Sequence, residues 1–426
     1  IDPFHEGGNT AGVDLAAAGE AIMKAMKRAN PEAGWVIQAW QANPRPAMVD
    51  GLNAGDMMVL DLSSENRPMW GDPDSPWYRE KGYGKHDWLY CMLLNFGGNV
   101  GMYGRMDRVI DGFYLARNHP NGKTMKGVGI TPEGIENNPV MYELLFELPW
   151  RKEKFTKEEW IKGYVKARYG VSDPYLLKAW EVLAATAYNC PRIQEGTTES
   201  VFCARPQEDA RSASSWGSSG MYYAPRDLRP AAEAMLAVAE KYRGNNNFEY
   251  DLVDVVRQTL SDRGNELLKE VMEAFRKKDK AAFDVLSKQF LALIEAQDEL
   301  LGTRPEFMLG TWLEQAKGIA SDDENKRLNE WNARTQITTW GDRTAADEGG
   351  LRDYAHKEWN GLLKDFYYPR WEAYFQLLEK RLQGAEVADI DWYALEEPWT
   401  RQQNLYPVTP QGDVVQTARK VYAKVE

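Results

Sequence analysis

The 426-residue sequence is poor in the groups that usually announce a metal, a phosphate or a membrane. Its four histidines (His5, His86, His119, His356) are scattered, with no His-x-x-x-His or Cys-x-x-Cys pair, so neither a metal site nor a cofactor is expected. The three cysteines, Cys91, Cys190 and Cys203, are too few for a disulfide framework; a single Cys190–Cys203 bridge and free buried thiols both stay open. No apolar run reaches about 18 residues, which excludes a membrane-spanning helix. Basic blocks are missing as well: 52 Lys and Arg stand against 64 Asp and Glu, a net charge of −12. Such a field repels nucleic acid and other polyanions, and a neutral ligand suits it better. The segment Asn95-Phe96-Gly97-Gly98-Asn99 lacks the Lys-Ser/Thr ending of a phosphate loop, and no Gly-x-Ser-x-Gly elbow occurs. Asn-x-Ser/Thr acceptor sites are absent, which argues against a glycosylated animal product. Residue 1 is Ile, and no basic-then-apolar leader follows it. We therefore expect either a processed segment or a start inside a longer protein.

What is present divides the chain in two. Up to about residue 153, strand and helix signals alternate. Leu15, Ala18, Ile22, Ala25 and Met26 fall at helical spacing, and Asn30-Pro31 stops the helix. Apolar runs at Trp35–Trp40, Met57–Leu62, Trp88–Leu94 and, more weakly, Met125–Ile130 predict strands, and Ile1–Phe4 reads as the end of another. Each run ends in polar or Gly-rich residues: Gln38, the Asp61–Glu65 segment, Asn95, and Thr131-Pro132-Glu133-Gly134. Parallel strands with functional groups at their C-terminal ends are the pattern of a (β/α)₈ barrel. Four strands and the end of a fifth make roughly half of one. A half barrel leaves strand edges unpaired and an apolar interior open, so the first half is expected upstream or on a separate chain. An open α/β sheet is the alternative.

From residue 154 to 426 the pattern is helical. Thr156-Lys157-Glu158-Glu159 reads as a capping box, with Gly170 as the stop of the helix it opens. Ser172-Asp173-Pro174 starts the next, to about Tyr188. Amphipathic stretches follow over roughly 226–242, 249–278, 280–301, 306–333, 351–364, 369–384 and 411–425. The fold class is thus α/β plus all-α: the C-terminal half of a (β/α)₈ barrel at 1–153, then a large all-helical domain at 154–426.

Two carboxylates stand out by context. Glu6 lies in Asp2-Pro3-Phe4-His5-Glu6-Gly7-Gly8, and Glu133 in Gly129-Ile130-Thr131-Pro132-Glu133-Gly134. Each follows a predicted strand, among Gly and Pro residues that fix unusual backbone in loops. On a barrel both point into one mouth. Glycosidic cleavage needs such a pair, one carboxyl protonating the leaving oxygen and the other, ionised, facing the developing oxocarbenium centre. Read singly, each is equally a loop acid capping a helix.

Blocks in order along the chain carry a resemblance. They are Asp2-Pro3-Phe4-His5-Glu6, Trp35-Val36-Ile37-Gln38-Ala39-Trp40, the Cys91–Asn99 segment with its Asn-Phe-Gly-Gly-Asn, and Pro132-Glu133-Gly134. In the helical half they are Tyr188-Asn189-Cys190, Gly310-Thr311-Trp312-Leu313-Glu314-Gln315-Ala316, Thr339-Trp340-Gly341, Asp353-Tyr354-Ala355 and Tyr368-Pro369-Arg370-Trp371. Together they resemble glycoside hydrolase family 89, the α-N-acetylglucosaminidases, across essentially the whole chain.

The resemblance implies a retaining exo-glycosidase that releases terminal α-linked N-acetylglucosamine from an oligosaccharide or glycan. It implies Glu6 as general acid/base and Glu133 as nucleophile. His5 departs from the Asn that precedes the acid in animal relatives; it is a candidate substrate contact or an orienter of Glu6. Trp40, Leu62, Leu93 and Phe96 are implied at the barrel mouth, and Trp340, Leu351 and Tyr354 over the N-acetyl or leaving group. Without the resemblance, Trp40 and Trp340 read equally as core. Asn95 is a candidate donor to a ring hydroxyl or a turn Asn capping its own backbone. Asp61 reads as a structural partner or a substrate contact, and Trp312 and Trp371 as core. A secreted or periplasmic bacterial enzyme is expected, lysosomal in an animal relative. Two rivals remain: a non-catalytic carbohydrate-binding or assembly module, and an enzyme that inverts or uses the substrate's own acetamide.

Overall fold

The computed structural model describes residues 11–62, 64–66, 70–71, 73–74, 78–134, 136–192, 194, 196–214, 217 and 220–425. The strand end expected at Ile1–Phe4, with His5 and Glu6, lies outside the described residues. The chain forms two compact units. One takes in the chain up to Leu94, Gly104–Glu133 and Pro139–Trp160; the other takes in Asn95–Tyr103, Gly134–Asn138 and Ile161–Glu426.

The first unit is built on four parallel strands, β1 (Trp35–Ala39), β2 (Met57–Asp61), β3 (Asp87–Met92) and β4 (Met125–Ile130), in the order β1-β2-β3-β4. A strictly sequential order is that of a singly wound barrel wall; a doubly wound sheet reverses direction at a switch point. Helices α1 (Leu15–Ala29), α2 (Pro46–Gly51), α3 (Met106–Asn118) and α4 (Pro139–Glu147) intersperse the strands. Asp14 caps α1 by accepting from the Ala17 N–H at 3.0 Å.

Register separates the two faces of this sheet, because residues paired in parallel strands share a face and alternate along it. Ala39, Asp61 and Tyr90 are paired, as are Val59 and Trp88. All five are 0% exposed, and Tyr90 packs edge-on against Phe113 of α3 at 5.8 Å. This is the helix-covered face. The other carries Val36, Gln38, Met58, Leu60, Leu89, Cys91, Gly127 and Gly129. A Cβ on Gly129 would sit 2.9 Å from Cys91 Sγ and 3.3 Å from Leu89 Cδ1, which fixes these three on one side. Cys91 is fully buried, whereas Val36 is 60% exposed, Gln38 is exposed, and Met58, Leu60, Leu89, Gly127 and Gly129 are half-buried. A face so apolar and so incompletely covered is what the interior of a partial barrel presents.

The second unit is helical. The helix α5 (Lys157–Tyr169) begins in the first unit with the expected capping box: Glu159 N–H donates to Thr156 Oγ1 at 3.2 Å and Thr156 N–H to Glu159 Oε2 at 3.0 Å. There follow α6 (Pro174–Ala185), α7 (Pro225–Val238), α8 (Asn246–Arg276), α9 (Lys280–Leu301), α10 (Leu309–Gly318), α11 (Asp323–Gln336), α12 (Arg343–Asp347), α13 (Tyr368–Leu382), α14 (Trp392–Thr400) and α15 (Val414–Tyr422). The core sits where α8, α9 and α13 meet. Phe290 lies 4.8 Å from Trp371 and 5.3 Å from Phe202, and a Cβ on Gly264 would meet the Phe202 ring at 2.4 Å.

Three expectations need correction. The stretch 306–333 is two helices, parted where Asp322 caps α11 by accepting from the Asn325 N–H at 2.8 Å. Of the stretch 351–364, residues 351–361 are turns and irregular backbone, because Asp353 (φ 54°), His356 (φ 22°) and Gly361 (φ 87°) take left-handed backbone that no helix tolerates. The helix α14 is additional; its length of nine residues and internal Pro398 hid it. Trp371 is core as expected, whereas Trp312 is half-buried and donates from Nε1 to the Ala333 carbonyl at 3.0 Å. All three cysteines are free and buried.

Candidate active site

At the C-terminal edge of the sheet the chain leaves each strand into a polar loop. Continuing the alternation one step, Trp40 extends the row of Gln38, Leu62 that of Leu60, and Leu93 that of Cys91. By that alternation three of the four expected mouth residues would continue the incompletely covered face; Phe96 belongs to the helical unit. Trp40 is half-buried, Leu62 is 7% exposed and Leu93 3%. Pairing between β3 and β4 runs on through the Thr131 N–H, which donates to the Met92 carbonyl at 3.0 Å. Two residues later comes Glu133, exposed and the last residue of the Gly104–Glu133 segment of its unit.

A second carboxylate braces this edge. Glu65, only 4% exposed, accepts through Oε1 from the N–H groups of Leu93 at 3.2 Å and Leu94 at 2.9 Å. Leu94 has φ 58°, so the carboxylate holds a strand end turned into strained backbone. Burial pushes the Glu65 carboxyl up to about 7, against the opposing pull of the Leu94 and Leu93 N–H groups and Arg105. Arg105 donates to Asn66 Oδ1 at 2.8 Å and Arg108 to the Asn66 carbonyl at 2.7 Å, tying the same loop to α3. Asp61 is 0% exposed on the helix-covered face, and the Tyr83 hydroxyl beside it has its pKa raised by burial first and by the Asp61 charge second. That placement favours its structural reading.

In the helical unit, the segments Asn95–Tyr103 and Gly134–Asn138 form one clasp. Asn95 Nδ2 donates to the Gly134 carbonyl at 2.8 Å, and its Oδ1 accepts from Asn138 Nδ2 at 3.3 Å. Asn137 donates to the Asn99 carbonyl at 2.8 Å, and Asn138 to that of Gly101 at 3.0 Å. Tyr250 donates its hydroxyl to the Glu136 carbonyl at 2.9 Å, and Lys357 lies 3.6 Å from the Glu136 carboxylate. Burial lowers the pKa of Lys357, and Glu136 offsets part of that. Asn95, 0% exposed, is a loop anchor here.

The same unit collects Phe96, Trp340, Leu351 and Tyr354. Gly97 (φ 64°) admits no side chain, since a Cβ would lie 2.2 Å from the Tyr354 carbonyl oxygen. This close approach brings the Phe96–Gly98 turn against Tyr354. The Tyr354 ring meets Trp340 edge-on at 6.1 Å and 80°, and the Tyr354 N–H donates to the Leu351 carbonyl at 3.1 Å. Trp340, Leu351 and Tyr354 are half-buried. Glu65, Asn137, Asn138, Tyr250 and Lys357 were not singled out from sequence. The polar run after β2 and the Asn137-Asn138-Pro139 turn were the only signals for them.

Comparison with known proteins bears on this arrangement. A family model described as "Alpha-N-acetylglucosaminidase (NAGLU) tim-barrel domain" matches residues 1–152, and one described as its C-terminal domain matches residues 160–424. The chain belongs to the α-N-acetylglucosaminidase family, glycoside hydrolase family 89. Human alpha-N-acetylglucosaminidase is 32% identical over 430 residues, covering 96% of this chain and 55% of the human one. A family 89 glycoside hydrolase from Clostridium perfringens, solved in complex with PUGNAc, superposes with a TM-score of 0.92 at 35% identity, over 100% of this chain and 48% of that one. A variant of the Clostridium enzyme with two glutamates changed to glutamine, in complex with its substrate GlcNAc-α-1,4-galactose, matches at 0.90 over 98% of this chain and 47% of that one. The chain spans about half the length of these relatives. Family membership accounts for the half barrel joined to a helical domain, both of which the fold displays. Among the described residues, no group of His, Cys, Asp and Glu is placed to hold a metal ion, and no helix is long and apolar enough to cross a membrane.

Proposed function

We propose that this chain supplies both catalytic carboxylates of a retaining exo-glycosidase that releases terminal α-linked N-acetylglucosamine. Glu133 is the nucleophile and forms a covalent glycosyl-enzyme ester as the glycosidic bond breaks. Glu6 protonates the departing oxygen, then takes the proton from the water that hydrolyses the ester. The observation that carries the reading is the position of Glu133. It directly follows β4, in a chain similar over its length to a glycosidase captured with a GlcNAc-α-galactoside after two Glu→Gln changes. In this reading His5, Trp40, Leu62, Leu93, Asn95, Phe96, Trp340, Leu351 and Tyr354 shape the sugar site, Asn95 through the loop it anchors. The remaining barrel strands come from chain outside these 426 residues, and the enzyme is secreted or periplasmic.

The part-exposed apolar face of the sheet favours a second reading, a carbohydrate-binding or assembly module without turnover. An aryl α-N-acetylglucosaminide assay separates the two, run on this chain alone and on the enzyme with a completed barrel. Retention further requires the two carboxyl groups to stand about 5–5.5 Å apart and the first-formed sugar to keep its α configuration. If Glu6→Gln and Glu133→Gln both keep near wild-type turnover in the completed enzyme, the assignment is wrong.

A further inference from the structure

The helical unit also holds a cavity of about 620 Å³ that plays no part in the proposed catalysis. Three guanidinium groups line it, Arg205, Arg352 and Arg381, against one carboxylate, Asp389. The anions that balance this wall lie behind it: Asp353 and Glu396 are 0% and 1% exposed. Arg205 is fully engaged, donating to Glu396 at 2.8 and 2.6 Å and to Asp347 at 2.6 Å. Arg381 donates to Asp389 at 2.6 Å.

Arg352 is different. Asp353, beside it, is taken by Arg370 through bonds of 2.9 and 3.2 Å, and Arg352 Nε stands 3.4 Å from the carboxylate without a hydrogen bond to it. The one hydrogen bond Arg352 makes among the described residues runs from Nη1 to the Ala346 carbonyl at 3.0 Å. A guanidinium carries five N–H donors, and this one, 22% exposed, lines the cavity with its buried Nε left without a hydrogen bond. Burial lowers its pKa, Asp353 and Glu396 offset part of that, and neighbouring Arg205 and Arg370 add to it. On the same wall the half-buried Trp392 packs on buried Tyr374 at 6.4 Å and 49°, and its ring is the one available to the apolar face of a sugar.

We propose that this cavity binds an acidic saccharide unit, a sugar bearing a carboxylate or a sulfate, with Arg352 pairing the anion and Trp392 covering the ring. The planar fork of arginine matches either anion with two parallel bonds. The volume is that of a small-ligand site, within about 300–1,000 Å³. The net charge of −12 opposes long polyanions at a distance, so recognition is short-range and favours short acidic saccharides.

Calorimetric titration of the full 426-residue chain tests this with four probes: a uronate-containing disaccharide, a glucose sulfate, glucose, and inorganic sulfate. At least one acidic sugar is expected to bind about tenfold more tightly than both glucose and inorganic sulfate, and which one identifies the anion. Arg352→Gln is expected to bring its affinity down to the glucose level, and Trp392→Ala to weaken it about fivefold or more. Arg381, 34% exposed at the rim, can be changed without threatening the fold; Arg381→Gln is expected to weaken binding about threefold. Glu133→Gln should bind like the parent, which keeps this site's fate separate from that of the catalytic reading. Equal affinity for acidic and neutral sugars, inorganic sulfate binding as tightly as the sugars, or unchanged binding in Arg352→Gln would each overturn the proposal.

Discussion

The two units hold their charged groups in opposite ways. In the strand unit the ionisable groups of interest sit at strand ends, where the alternation of the sheet delivers them: Glu133 exposed after β4, Glu65 buried after β2. In the helical unit they sit deep between helices. Arg257, 0% exposed, donates to Asp254 at 2.9 Å and to Glu358 at 2.6 Å, and Glu358 accepts further from Ser261 at 2.5 Å and Gln297 at 2.7 Å. The first arrangement leaves one carboxylate exposed, the one proposed above for chemistry; the second ties carboxylates into a buried network. The difference teaches that the strand unit places its carboxylates by the sheet, with Glu65 bracing the Leu93–Leu94 strand end, whereas the helical unit spends its own on a buried network.

The sharpest way to break this comparison is to remove the carboxylates assigned to chemistry. In the completed enzyme, Glu133→Gln should lower kcat on an aryl α-N-acetylglucosaminide by about 10³-fold or more, and Glu6→Gln by about 10²–10⁴-fold. The folded state should be little affected, since Glu133 is exposed. The reverse holds for Arg257→Ala. It leaves Asp254 and Glu358 buried without their cation, and chemical denaturation should show a loss of about 3–5 kcal/mol. Gly97→Ala lies between the two. Its Cβ would strike the Tyr354 carbonyl at 2.2 Å with φ at 64°, so a loss of about 1–3 kcal/mol and a raised KM with little change in kcat are expected.

A smaller effect sharpens the comparison through pH. Burial raises the carboxyls of Glu65 and Asp262 to about 7 and that of Asp298 to about 6. A raised carboxyl means that the folded state binds more protons than the unfolded one across the window between the two values. Stability therefore falls as pH rises from about 4 to 7, the opposite of a salt-bridged carboxylate. Thermal denaturation should give a higher midpoint at pH 5 than at pH 7.5, and Glu65→Gln should flatten the slope contributed by the strand unit.

The same contrast explains what could be read from sequence. Trp35–Ala39, Met57–Asp61, Asp87–Met92 and Met125–Ile130 were legible because a parallel strand buried among helices is a short apolar run that ends in polar residues. The parity of Trp40, Leu62 and Leu93 followed from the period of two. The stretch 351–364, non-helical up to residue 361, misled because Leu351, Tyr354, Ala355, Trp359 and Leu362 fall at helical spacing. Their turns are set by long-range partners, Arg370 on Asp353 and Glu199 at 3.2 Å from His356 Nδ1, which no local pattern records. Glu65 escaped notice for a related reason: its partners are two backbone N–H groups 28 and 29 residues away. The pairing of Glu6 with Glu133 rested on family resemblance, since no spacing rule joins two distant loops.

The most direct test of the central claim is covalent. The completed enzyme, treated with an activated 5-fluoro-N-acetylglucosaminyl fluoride and digested, should yield one peptide carrying the added sugar, with the ester on Glu133. A modified Glu6 or a different residue, or no adduct from an enzyme that still turns over its substrate, would contradict the assignment of Glu133 as the nucleophile.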